Sequence, residues 1–174
     1  MIKVQFRLFY TFLLIIFFMF SAAGQQKYRL AVEYYNSGEY EKAAQIYESL
    51  YKESPNNKSY FNWYIQCLID LKDYENAGRI TQAKIKKNPN DVSLYVTYGN
   101  LLERQGFNDK ANAEYRKAIN NLNPDPTNIT NLANNFTNLA KYDLAIETYL
   151  KGEKLSNVEN LYVYNLADLY RRQG

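Results

Sequence analysis

The sequence predicts an all-α protein, a solenoid of antiparallel helix pairs. Two observations predict it. Residue types recur at a fixed step of 34 along residues 25–174, and each interval holds two amphipathic stretches separated by a short break. Ala43, Ala77, Ala111 and Ala145 fall on that step, as do Leu30, Tyr64, Tyr98, Leu132 and Leu166. So do Ala31, Ile65, Gly99, Ala133 and Ala167; Tyr34, Leu68, Leu102, Phe136 and Tyr170; and Gly38, Lys72, Gly106, Ala140 and Gly174. Several columns keeping one step with no insertion is the mark of stacked structural units.

The first unit justifies the two-helix reading. Leu30, Ala31 and Tyr34 share one helical face, so a helix is expected near Lys27–Asn36. Ser37-Gly38-Glu39 breaks it, with Gly at the C-cap. Ala43, Tyr47 and Leu50, spaced i, i+4, i+7, predict a second helix near Tyr40–Glu53, which Ser54-Pro55-Asn56 stops. Small residues in the Ala31 and Ala43 columns let the two helices approach, and aromatic residues in the Tyr34 and Tyr47 columns fill the space beside them. The same scheme places units near 25–57, 58–91, 92–125 and 126–159, with a half unit at 160–174 whose helix is expected at Leu161–Arg172. Leu166, Leu169 and Tyr170 of that half unit read as core residues, and the array is expected to continue past Gly174.

The pattern L-A-x-x-Y…G-x-Y-x-x-A-x-x-x-Y…P in residues 30–55 resembles the tetratricopeptide repeat. The resemblance covers residues 25–174 and implies about four and a half repeats wound into a right-handed superhelix whose first helices line a concave groove. The chain departs from the pattern in four places, one of them the usual tryptophan column, which holds Lys27, Phe61, Tyr95, Ile129 and Val163. Thr81 stands in the column of Tyr47, Tyr115 and Tyr149; Lys84 stands in the column of Leu50, Ala118 and Gly152; and Lys72 replaces the turn glycine. The run Lys84, Lys86, Lys87 reads as a solvated helix end.

The N-terminus has a different logic. Lys3 and Arg7 precede thirteen uncharged residues, Leu8–Phe20, and the small residues Ser21 to Gly24 follow. A basic start, a short apolar run and a small-residue exit predict a secretory signal peptide over residues 1–24, cleaved before Gln25 or Gly24. The run is short of the roughly 20 residues a spanning helix needs, so no membrane span is expected in the mature chain. Without Lys3 and Arg7 the formal charge falls from +3 to +1, which gives no reason to expect a nucleic-acid partner. Cys67, the only cysteine, lies between Ile65 and Leu68 and reads as a buried small hydrophobe.

The chain has no histidine. Ser-His and Cys-His nucleophile pairs are therefore excluded, and so are His-based zinc sites. One cysteine cannot build a thiolate metal site, and no glycine-rich phosphate loop occurs. The expectation is a protein that is not an enzyme and needs no cofactor or metal.

The first helices carry the candidate contact residues: Asn62, Gln66, Asn100, Arg104, Asn131, Asn134 and Asn138. Ile69 and Val96 are expected on the same exposed faces. Asn131, Asn134 and Asn138 lie at i, i+3, i+7 on one helix face, and Gln66, Asn100 and Asn134 share a column. An amide offers both donor and acceptor, which suits the backbone of an extended peptide or sugar hydroxyls. Some tetratricopeptide proteins grip a carboxylate with cations on these faces; here Tyr28, Val32, Trp63, Ser93 and Thr97 occupy them instead. Asn57, Asn128 and Asn135 match N-x-S/T by chance. The leading expectation is an exported scaffold that docks a protein or extended peptide, in a periplasmic or cell-envelope setting. The alternatives are a periplasmic sensory input module and a glycan-binding role.

Overall fold

The computed structural model describes residues 24–174; residues 1–23 of the proposed signal segment lie outside the described residues. Among those residues the regular structure is helical: α1 (24–36), α2 (Tyr40–Glu53), α3 (Lys58–Asp70), α4 (Tyr74–Lys87), α5 (Val92–Arg104), α6 (Asn108–Asn120), α7 (Pro126–Asn138), α8 (Tyr142–Ser156) and α9 (Val163–Gln173). They fall into two compact units, one ending at Asp73 and containing α1–α3, the other running from Tyr74 and containing α4–α9.

One turn design recurs. After α1 the Gly38 N–H donates to the Tyr35 carbonyl and the Glu39 N–H to the Tyr34 carbonyl, at 3.0 and 2.9 Å. The same two bonds form after α3 (Lys72 to Ile69, Asp73 to Leu68), α5 (Gly106 to Glu103, Phe107 to Leu102) and α7 (Ala140 to Thr137, Lys141 to Phe136). This double bond is the Schellman motif, which needs a left-handed residue just past the helix. The column supplies it whatever the side chain: φ is 77° at Gly38, 60° at Lys72, 83° at Gly106 and 55° at Ala140. Helix starts are also set locally. The Asn57 carboxamide accepts the Ser59 and Tyr60 N–H groups to open α3. Asp125 accepts the Asn128 N–H, with Pro126 in the first turn of α7, where a missing donor costs nothing.

In the unit of α1–α3, Ala31, Ala43, Tyr47 and Cys67 are fully buried, with Leu50, Phe61 and Ile65 beside them. Burial pushes the Cys67 thiol up to about 12, with the Asp70 carboxylate adding to the effect, so it behaves as a packing residue. In the unit of α4–α9 one core runs from Val96 through Tyr115, Ile129 and Phe136 to Tyr149 and Leu169. Ala77, Ala111 and Ala145 are buried at 0, 1 and 0% exposure, as Ala43 is in the other unit. Close approach here depends on glycine. A methyl group at Gly99 would sit 2.4 Å from the Tyr115 ring, and one at Gly152 would sit 2.7 Å from Ile129.

Four expectations need correction. Lys84 is buried, not solvated. It stands in the core-facing column of Leu50 and Ala118, so its methylene stem packs inside while Lys86 and Lys87 remain exposed. Ile69 and Val96, at 8 and 3% exposure, turn into the cores because they are apolar side chains at the edge of the exposed face. The last helix begins at Val163, two residues later than expected, because Asn160 takes a left-handed turn (φ 58°) and Tyr162 is buried against Tyr149. Tyr170 is 52% exposed, although Leu169 is buried as expected.

Candidate functional site

In the unit of α4–α9, α7 carries the amide face. Ile129, Leu132, Ala133 and Phe136 bury one side of this helix, which leaves Asn131, Asn134 and Asn138 on the other. All three are exposed, and none makes a side-chain hydrogen bond among the described residues. On α5, Asn100 is half-buried and Arg104 is exposed, again without such a bond among those residues. The helix rise of about 1.5 Å per residue spreads Asn131 to Asn138 over roughly 10 Å, the length of about three extended peptide residues. Asn165 on α9 does not join this open set; its amide donates to the Tyr149 hydroxyl at 3.2 Å, which is also hydrogen-bonded to Thr130.

Beside α5 lies an ionic contact that the sequence did not reveal. The Lys141 ammonium, at the start of α8, donates to the Glu103 carboxylate at 2.8 Å and lies 4.9 Å over the Tyr115 ring. The Tyr115 hydroxyl donates to the other Glu103 oxygen at 2.9 Å. The Lys141 hydrogen bond, with help from Tyr115, holds the Glu103 carboxyl below its usual range. Burial, reinforced by the Glu103 charge, pushes the Tyr115 phenol well up. Arg104 is exposed on the same helix, while the neighbouring Glu103 carboxylate is paired with Lys141.

In the unit of α1–α3, Asn62 is exposed on α3 and makes no side-chain hydrogen bond among the described residues. Gln66 is not free. Its amide donates to both Asp70 oxygens at 3.2 Å, and the Tyr35 hydroxyl donates to Asp70 at 2.8 Å. Burial and the Asp70 carboxylate raise the Tyr35 phenol to about 12. Trp63 sits between Tyr35, edge-on at 5.0 Å, and Tyr47, stacked at 5.9 Å. The sign of this aromatic cluster in the sequence is its 18 tyrosines. The Tyr47 hydroxyl is buried and has no hydrogen-bond partner among the described residues, and burial pushes its phenol up.

Residues 34–97 match the model of the tetratricopeptide repeat family. Residues 34–97 thus carry the tetratricopeptide repeat pattern. No curated protein matches the sequence. Among solved structures the chain is similar to PcrH from Pseudomonas aeruginosa, with 19% identity and a TM-score of 0.53, covering 77% of this chain and 92% of that one. It is likewise similar to PcrH in complex with the chaperone binding region of PopB, with 19% identity and a TM-score of 0.54, covering 66% and 93%. MamA from Desulfovibrio magneticus RS-1 aligns at 18% identity and a TM-score of 0.47, covering 79% and 77%. At these identities the likeness to PcrH establishes a shared fold. The candidate residues stand on the first helices of the repeated helix pairs: Asn62 and Gln66 in one unit, Asn100, Arg104 and the three α7 asparagines in the other. Among the described residues, no group of three His, Cys, Asp or Glu could hold a metal ion, and no helix is long and apolar enough to cross a membrane.

Proposed function

We propose that this chain is an exported scaffold that holds an extended segment of a protein along its amide-bearing helices. The observation that carries this reading is the α7 face: three exposed asparagines in one row, unused by the fold among the described residues. Peptide backbone presents alternating N–H and C=O groups, and a carboxamide can answer both. Asn131, Asn134 and Asn138 carry no charge, so recognition along this row rests on main-chain hydrogen bonds more than on ionic contacts. PcrH, which shares the fold, is seen with the chaperone binding region of PopB; a comparable use of the repeats is in keeping with the amide row. The basic-apolar-small N-terminus supports export, and a periplasmic or envelope location follows from that reading.

The test is capture from the native compartment with the chain as bait, beside the variant Asn131→Ala, Asn134→Ala, Asn138→Ala. Each amide-to-backbone bond contributes about 1 kcal/mol net, so losing three weakens a groove-bound peptide by roughly 100-fold. A captured protein retained equally by the variant would overturn the assignment of the site. Export is read separately, by N-terminal sequencing of the mature protein: a start at Gly24 or Gln25 is expected, and a retained Met1 counts against cleavage.

A further inference from the structure

The first turn of α1 carries a side chain that the fold leaves unused. The helix begins at residue 24, and Gln25 is exposed, with no side-chain hydrogen bond among the described residues. The residues just behind it hold α1 in place. The Lys27 ammonium pairs with the Glu53 carboxylate, and the Tyr28 ring packs edge-on against buried Tyr47 with centroids 6.0 Å apart. Ala31, about one turn further on, is fully buried. Trimming from this end would remove the contact with Glu53 and then the contact with Tyr47. A free chain end here is open to such trimming. It also sets an ammonium at the positive end of the α1 dipole, where a cation is disfavoured.

We propose that the mature protein begins at Gln25 and that this residue is closed to a pyroglutamyl lactam; the proposal rests on the export reading and on removal of the segment before Gln25. Cleavage after Gly24 meets the small-residue rule through Ala22 and Gly24, and it frees the Gln25 amine. The unprotonated amine nitrogen attacks the Cδ carbon of its own carboxamide. The N–Cδ bond forms and closes the ring. The Cδ–Nε2 bond breaks, and Nε2 leaves as ammonia with one proton taken from the amine. No oxidant, metal or second substrate enters the step. The carboxamide is available for it because no hydrogen bond among the described residues holds it elsewhere. A chain starting at Gly24 has no carboxamide on its terminal residue and keeps its amine. The lactam carries no ammonium, so the disfavoured charge at the start of α1 is gone, and an aminopeptidase finds no terminal amine to engage.

The protein isolated from its native host tests this. A protease that cuts after Glu33 releases the N-terminal peptide for mass spectrometry, and an isotope-labelled, open-chain peptide of residues 25–33 is added before work-up. The native peptide is expected to be lighter than open-chain 25–33 by one ammonia, while the labelled peptide keeps its full mass. Incubation of the folded protein with an aminopeptidase gives the second readout: the parent chain resists, whereas Gln25→Ala, which cannot close the ring, loses residues from α1. A native peptide with an open Gln25 amine, or one that starts at Gly24, overturns the proposal and leaves export standing. Ring closure of the labelled peptide to the same extent assigns the lactam to handling and overturns it too. Equal resistance of parent and variant overturns the protective role. A retained Met1 overturns the export reading and the lactam with it.

Discussion

The turn column gives the sharpest energetic test, because the backbone there is fixed and only the side chain varies. Ala140 follows α7 at φ 55°, in the same hydrogen-bonded turn that Gly38 and Gly106 make at 77° and 83°. A residue with a Cβ pays about 1–2 kcal/mol to sit in the left-handed region. Glycine avoids that cost but loses about 0.5–1 kcal/mol more chain entropy on folding. The methyl group of Ala140 is exposed, so nothing else is lost on removing it. Ala140→Gly should therefore stabilise the protein by about 0.5–1 kcal/mol. For a chain of this size that raises the melting temperature by about 2–3 °C, or the urea midpoint by about 0.4 M at unchanged slope. Gly106→Ala reverses the exchange in an equivalent turn and should destabilise by a similar amount. The assay is urea unfolding followed by far-ultraviolet circular dichroism. If Ala140→Gly is neutral or destabilising while Gly106→Ala is tolerated, the left-handed turn does not carry the strain argued here.

Gly99→Ala should cost about 1–3 kcal/mol, since its methyl would meet the buried Tyr115 ring at 2.4 Å, whereas Gly78→Ala, at 3.6 Å from Tyr98, should gain up to about 1 kcal/mol from helix propensity. Thermal melts of the two variants moving in the same direction would contradict this. Tyr47→Phe removes a buried hydroxyl that lacks a partner among the described residues and should be neutral or stabilising by about 1 kcal/mol; Tyr115→Phe, which strips a hydrogen bond from Glu103, should lose about 1–2 kcal/mol. Because the folded Glu103 pKa is depressed, its contribution is present above the ordinary carboxylate range and fades as pH falls through the folded value. Half-exposed as it is, the effect stays below about 1 kcal/mol. Stability measured from pH 6 down to pH 3 should fall less steeply in Glu103→Gln than in the parent.

The fold was legible because its constraints are local or repeated. A small side chain is demanded wherever two helices touch, and the demand recurs at Ala43, Ala77, Ala111 and Ala145. Glycine at positions 38 and 106 announced the left-handed turn, and Lys72 and Ala140 adopt it under the pull of the same two backbone bonds. Lys84 was misread from its lysine neighbours, although the 34-residue step already placed it with Leu50. Contacts between distant residues left no such trace. Lys141 and Glu103 are 38 positions apart, and Tyr35 and Asp70 are 35 apart, so neither pair follows from helical spacing. Gln66 is a different case: its amide is tied to Asp70 four residues further along the same helix, a spacing that was legible in the sequence.

The α7 asparagines were legible for the opposite reason, since i, i+3, i+7 spacing fixes their common face without tertiary information. Whether they serve the fold can be decided by energy. The buried side of α7 places Ile129, Leu132 and Phe136 at 0, 1 and 0% exposure. At about 1.5–3 kcal/mol each, these three hold the helix in place, and the Asp125 cap contributes about 1 kcal/mol more. Each exposed asparagine instead costs about 0.5 kcal/mol relative to alanine, or about 1.5 kcal/mol for the row. The outer face is thus a drain on stability that the inner face covers. Replacing Asn131, Asn134 and Asn138 together by alanine should raise stability by about 1–1.5 kcal/mol while weakening peptide capture. A stabilised variant that binds less well is the signature of residues kept for contact. A destabilised variant would mean that the amides support α7 itself, and the face would lose its claim as a receptor surface.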